Sequence, residues 1–127
     1  MFFRACLTFA LALSCAAAAT AQQRAEGDWP NRHIKFIVPF PAGASTDVVA
    51  RIVTRRLAER IGASIVIENK AGASGDAGSD VVAKSRPDGY TLGLATTSTH
   101  AIAASLNPHM PYDPVRDFSH MAMMRSE

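Results

Sequence analysis

Three short apolar runs constrain this chain most, because each is followed by a loop of small and hydroxyl residues and then by a helical stretch. Ile34-Lys35-Phe36-Ile37-Val38 and Ile65-Val66-Ile67 are almost continuously apolar, and residues 90–96 form the third run. Runs this short and this rich in β-branched residues suit strands covered on both faces, as parallel sheets require. Pro39 and Pro41 forbid a longer first strand in a central ladder. Asn69-Lys70-Ala71-Gly72 and Pro87-Asp88-Gly89 read as turns.

Between the first two runs, residues 46–61 carry a helical period. Val49, Val53, Leu57 and Ile61 recur at i+4, and Val48 and Ile52 widen the stripe expected to face the sheet. Ser45 or Thr46 is expected to cap the first turn, with Asp47 near the positive end of the dipole and paired with Arg51 one turn on. Arg55, Arg56 and Arg60 form the solvated back, and Gly62 is the stop. A weaker helix is expected over 75–85 and a short one over 100–106, ended by Asn107-Pro108. The order β-α-β-α-β-α implies an α/β fold, a three-layer open parallel sheet with right-handed crossovers. A fourth apolar stretch, 118–124, lies near the end of the sequence.

The first 21 residues are of another kind. A positively charged start at Arg4, an apolar run over 5–13 and the small-residue signal Ala19-Thr20-Ala21 read as a secretory signal peptide cut before Gln22. Residues 22–33, with Gly27 and Pro30, form an extended leader, and residues 34–127 form the folded part. Both cysteines, Cys6 and Cys15, fall in the signal, so the mature chain is expected to lack thiols and disulfides. Lipid attachment at Cys15 is disfavoured, because Ala12-Leu13-Ser14 lacks the large aliphatic residue expected three positions upstream. No apolar run is long enough to span a bilayer. The net charge of +2 does not suggest a nucleic-acid partner.

In an open α/β sheet, ligands sit outside the carboxyl ends of the strands. The loops expected there are 39–47, 71–76 and 96–100. Each places Gly, Ala, Ser or Thr at a helix start, where unpaired N–H groups and the positive dipole end meet. Together they could receive a carboxylate or phosphate, with small side chains permitting close backbone approach. Capping and turn formation alone would explain any one of the three. Gly72, Gly75 and Gly78 follow G-x-x-G-x-x-G, which is neither a dinucleotide fingerprint nor a P-loop, and no cofactor is expected. His33, His100, His109 and His120 show no i+4 pair, so no metal site is expected. Only His100 falls in one of these loops. A small exported hydrolase-like enzyme is the alternative, with Ser45 or Ser98 as nucleophile and His100 as base, but no acidic orienter stands at a telling spacing.

These residues resemble a known family. Trp29-Pro30, then Pro39-Phe40-Pro41-Ala42-Gly43 through Asp47, are similar to the opening of Bug-type receptors, the periplasmic solute-binding proteins of tripartite tricarboxylate transporters. Val66-Ile67-Glu68-Asn69-Lys70-Ala71-Gly72-Ala73, Arg86-Pro87-Asp88-Gly89-Tyr90-Thr91-Leu92, Pro111-Tyr112-Asp113-Pro114 and Asp117-Phe118 continue the likeness in order. The resemblance implies the first lobe of a type II periplasmic-binding fold, which closes on a small carboxylate or amino acid and delivers it to membrane permease subunits. Carried over by position, it points to Phe40, Ala42, Gly43, Thr46 and Asp47, to Ala73 and Ser74, and to Thr97, Ser98 and Thr99. Asp47 is expected to order its loop, since an ionised carboxylate repels an anion.

The chain departs from the family pattern, which usually has Gly-Gly at Gly43-Ala44 and at Ser74-Gly75, and Pro at Ala71. Family members have two lobes, so the sequence reads as the N-terminal portion of a receptor. A lone lobe is expected to bind weakly, and a non-functional truncated fragment is a further alternative.

Overall fold

The computed structural model describes residues 29–124. The expected signal peptide, both cysteines and most of the expected leader lie outside the described residues. From Arg32 onward the chain forms one unit.

Strand β1 spans Ile34–Val38, β2 spans Ile65–Asn69 and β3 spans Thr91–Gly93. They pair in the order β2-β1-β3, all parallel, with Phe36 beside Ile67 and Leu92, and Ile37 beside Glu68 and Gly93. The most apolar run therefore takes the centre, where both backbone edges are satisfied and both faces are covered. Ile34, Ile37 and Val38 are almost wholly buried. The third strand is shorter than the apolar run over 90–96. After Gly93, one further bond from Leu94 N–H to the Ile37 carbonyl closes the ladder, and the chain then turns into a loop.

Helix α1, Ser45–Ile61, follows β1 and ends at Gly62, whose φ of 64° permits the left-handed cap. Helix α2, Asp76–Ala83, follows β2 after a single 3-10 turn at Ala73–Gly75. Phe36, Val38 and Leu94 form a core with Ala50 of α1, joined by Ile65, Ile67, Leu92 and Phe40. On the other face, a methyl added at Gly93 would lie 2.7 Å from Val82 of α2. The two helices thus cover opposite faces, as right-handed crossovers running in opposite directions along the sheet, from β1 to β2 and then from β2 across to β3, require. The expected three layers are present. After β3, the helical segment is a π-helical turn at Ser98–Ile102 that tightens into α3, Ala103–Leu106. Residues 118–124 form no regular element.

The rotation of α1 differs from the expected one. Its buried residues are Asp47, Ala50 and Thr54; of the expected stripe, Val48, Val49 and Ile52 are exposed, while Val53, Leu57 and Ile61 are half-buried. The helix approaches the sheet with small residues, because Phe36, Ile67 and Leu92 already supply the bulk. A polar anchor fixes this phase. Asp47 must face inward to reach Gly43 and Asn69, and Ala50 and Thr54 follow at i+3 and i+7 on the same side. Capping differs as well. Neither Ser45 nor Thr46 caps the helix; Ala44 holds the N-cap position without a side-chain bond, and Asp47 reaches back to the Gly43 N–H instead.

Among the described residues, no helix is long and apolar enough to cross a membrane.

Helix α2 packs unusually close to the ends of β1 and β2. A Cβ at Gly78 would lie 2.7 Å from the Pro39 Cα and 2.8 Å from the Lys70 carbonyl oxygen, both backbone atoms. Alanine normally gains about 1 kcal/mol over glycine inside a helix. Here Gly78→Ala is expected to destabilise by about 1–3 kcal/mol, as overpacking does. Urea unfolding of the two proteins checks the sign.

Candidate functional site

The three strand-to-helix loops meet on one edge of the sheet. Their meeting point is Gly75, which is buried and has a φ of 103°. A side chain there would lie 2.5 Å from Thr99 Cγ2 of the third loop, 3.3 Å from Phe40 Cζ and 3.5 Å from Pro39 Cβ of the first. Only glycine leaves room for side chains of the first and third loops to pack against this backbone.

The first loop is held from within. The Asp47 carboxylate accepts hydrogen bonds from Gly43 N–H at 2.9 Å, Arg51 Nε at 2.8 Å and Asn69 Nδ2 at 2.9 Å. These bonds, led by that from Arg51, hold its pKa far below the ordinary carboxylate range. Asn69, the last residue of β2, also donates to the Phe40 carbonyl at 3.0 Å. One amide thereby ties the end of β2 to the first loop and to α1. Asn69 had no role assigned from sequence, although it stands in the quoted Val66–Ala73 likeness. The expected pair of Asp47 with Arg51 is present, so the carboxylate is neutralised locally.

The backbone donors are divided. Gly43 N–H serves Asp47, and Ala44 N–H serves the Pro41 carbonyl. The first α-helical bond of α1 runs from Val48 N–H to the Ala44 carbonyl, so the amides of residues 45–47 precede the helical ladder. The Thr46 hydroxyl is covered and has no hydrogen-bond partner among the described residues. Ala42, Gly43 and Ser45 are exposed, Phe40 and Thr46 are half-buried, and Asp47 is buried.

In the second loop, Ala73 and Ser74 are both exposed and both left-handed, with φ of 46° and 57°. This is the conformation glycine would adopt freely, without the cost a Cβ brings to Ser74. The third loop is a hydroxyl knot. Thr96 Oγ1 lies 2.8 Å from Ser98 Oγ and 3.2 Å from Thr99 Oγ1, and Thr99 Oγ1 accepts from Thr96 N–H. Thr97 is exposed and Ser98 half-buried. Thr99 is fully buried, so it braces the loop from inside.

His100 belongs to this brace. Its Nδ1 lies 2.9 Å from Thr99 Oγ1, and its ring packs against Phe118 at 4.7 Å and His120 at 5.9 Å. Ser98 is bonded to Thr96 instead, so the serine–histidine pairing that a hydrolase would need is not formed among the described residues. No group of three or more metal-ligating side chains occurs there either. A depression of about 440 Å³ is walled by Ala104, Tyr112, Asp113 and Asp117, and no proposed ligand residue lines it.

Two outcomes follow from this geometry. Ser74→Gly is expected to raise stability by about 0.5–1 kcal/mol, since it relieves a left-handed residue at some cost in unfolded-chain entropy; a lower thermal midpoint would contradict this. Burial, then the charge of His120, lowers the His100 pKa from 6.5. The folded state therefore disfavours the imidazolium, and its contribution to stability is present above pH 6.5 and lost as pH falls below it. Thermal midpoints at about pH 7.5 and 5 should differ, and His100→Gln should shrink that difference.

The family model described as the tripartite tricarboxylate transporter family receptor matches residues 49–127. BugT of Bordetella pertussis is 45% identical over 97 residues, covering 76% of this chain and 30% of that protein. The periplasmic binding protein BugD superposes with a TM-score of 0.68 at 38% identity, over 71% of this chain and 30% of its own. MatC from Rhodopseudomonas palustris, solved with bound malate, gives a TM-score of 0.68 at 41% identity, over 71% and 31%. The chain spans about 30% of the length of the curated relatives it matches. It has the α/β fold of the periplasmic binding proteins, and it belongs to the tripartite tricarboxylate transporter receptor family.

Proposed function

We propose that this chain is the ligand-recognising N-terminal part of a periplasmic receptor. It binds a small carboxylate or amino acid at the loop edge, and the receptor delivers that solute to the membrane permease subunits of its transporter. The observation that carries this reading is the convergence at Gly75, which sets three helix-start loops beside one another. The solved relative with malate supports a dicarboxylate as the guest.

Within the edge, the structure suggests a division of labour. Residues 45 and 46 offer the leading amides of α1, and Ala42, Gly43, Ala73, Ser74, Thr97 and Ser98 supply small surfaces and hydroxyls. Phe40 forms a wall. Asp47 and Thr99 act from below as supports, one neutralised by Arg51 and the other committed to its own loop. An anion held this way gains from the dipole and from charge-assisted bonds without a buried lysine or arginine. A binding role, not an enzymatic one, fits both the family and the pairing of His100 with Thr99.

The described residues supply one wall of such a cleft, and burying most of a guest takes two. Malate is therefore expected to bind the isolated chain with a Kd on the order of millimolar. In a heteronuclear NMR titration, malate should shift amides at 42–46, 73–74 and 97–98, and its neutral dimethyl ester should not. Equal shifts from the ester, or shifts confined to other surfaces, would refute the reading.

A further inference from the structure

Pro111-Tyr112-Asp113-Pro114 follows the family pattern but contributes no residue to the loop edge. Tyr112 is nonetheless 5% exposed. Its phenol oxygen lies 2.7 Å from the Thr99 carbonyl oxygen and 3.1 Å from Asp76 Oδ1. Thr99 closes the third loop, and Asp76 begins α2 where the second loop ends. Ser79, also buried, stands near enough to the same phenol to act on its titration. The single phenolic proton goes chiefly to the nearer Thr99 carbonyl, with Asp76 sharing it, so one hydroxyl bridges two of the three loops.

The residue is itself held rigidly. Its ring meets Phe118 edge-on at 5.6 Å and His100 at 6.0 Å. The following turn is capped internally: Asp113 Oδ1 accepts from the N–H groups of Val115 and Arg116, and Asp117 Oδ2 accepts from Asp113 N–H at 2.7 Å. A strut this constrained cannot follow the loops if they move; it sets where they stand.

We propose that Tyr112 is a positioning residue for the ligand edge: its hydroxyl fixes the separation of the second and third loops, and through it the affinity for the guest, without touching the guest. This rests on the receptor reading above. Removing the hydroxyl but keeping the ring leaves a buried carbonyl and a carboxylate without their bridge, and the two loops are free to part.

The test is Tyr112→Phe in the full 127-residue chain, with malate as probe. The ring contacts remain, so the chain should still fold, with a thermal midpoint lowered by about 4–8 °C, the scale of one lost buried hydrogen bond in a domain of this size. Ligand-free amide shift changes should cluster at 76–79 and 96–100. The Kd for malate should rise about five- to tenfold, the scale of one lost buried hydrogen bond. A Kd within about twofold of the parent, or shift changes spread across the sheet, would overturn the proposal. If the parent shows no response to malate, the receptor reading fails; if the parent responds and Tyr112→Phe responds equally, only this proposal fails. Should Tyr112→Phe not fold, Ser79→Ala removes a buried neighbour that acts on the phenol, and there a Kd raised about two- to threefold is expected and an unchanged Kd overturns the strut.

Discussion

The loop edge exists because position 75 carries no side chain. Side chains from two segments distant in sequence press on one Cα, and the nearest atom, from the third loop, lies only 2.5 Å from where a Cβ would have to be. Parallel topology brings the carboxyl ends of β1, β2 and β3 to the same side. It does not by itself bring the loops into contact. Glycine does that, and its left-handed φ also turns the chain from the 3-10 turn into α2.

A second constraint acts from below. Asp47 is a buried carboxylate whose bonds are all to groups that fix geometry: a loop amide, a guanidinium one helical turn on, and the side-chain amide ending β2. A buried ionised group costs heavily unless it is paired and hydrogen-bonded, and here both conditions hold. The same bonds dictate the rotation of α1, which explains the outward valines. The polar anchor prevails over the hydrophobic stripe because an unsatisfied buried carboxylate would cost more than leaving Val48, Val49 and Ile52 partly in water.

Much of the fold was legible in the sequence. The apolar runs marked the strands to within a few residues, Gly62 marked the end of α1, and the alternation of elements gave the parallel sheet. Less legible was anything decided by a contact between distant segments. The i+4 stripe failed only in the first turns of α1, because nothing in a local window shows that Asp47 must reach Asn69, 22 positions away. Thr99 read as one more loop hydroxyl because its burial depends on Gly75 and Tyr112. His100 read as a possible base, yet its neighbours Phe118 and His120 lie 18 and 20 residues on, and they make it part of an aromatic brace. The three loops of the candidate site could be singled out because their chemistry is local: small residues and hydroxyls at helix starts.

The account therefore stands on a shared contact that NMR can see directly. Through-space cross-peaks from the Gly75 α-protons to the Thr99 γ2 methyl and to the Phe40 ring report the convergence of the three loops on one residue. Both cross-peaks should be strong, alongside the inter-strand peaks that β1 makes with β2 and β3. If the inter-strand peaks are present and those from Gly75 are missing, the sheet is right but the loops stand apart, and the common edge on which the receptor reading depends does not exist.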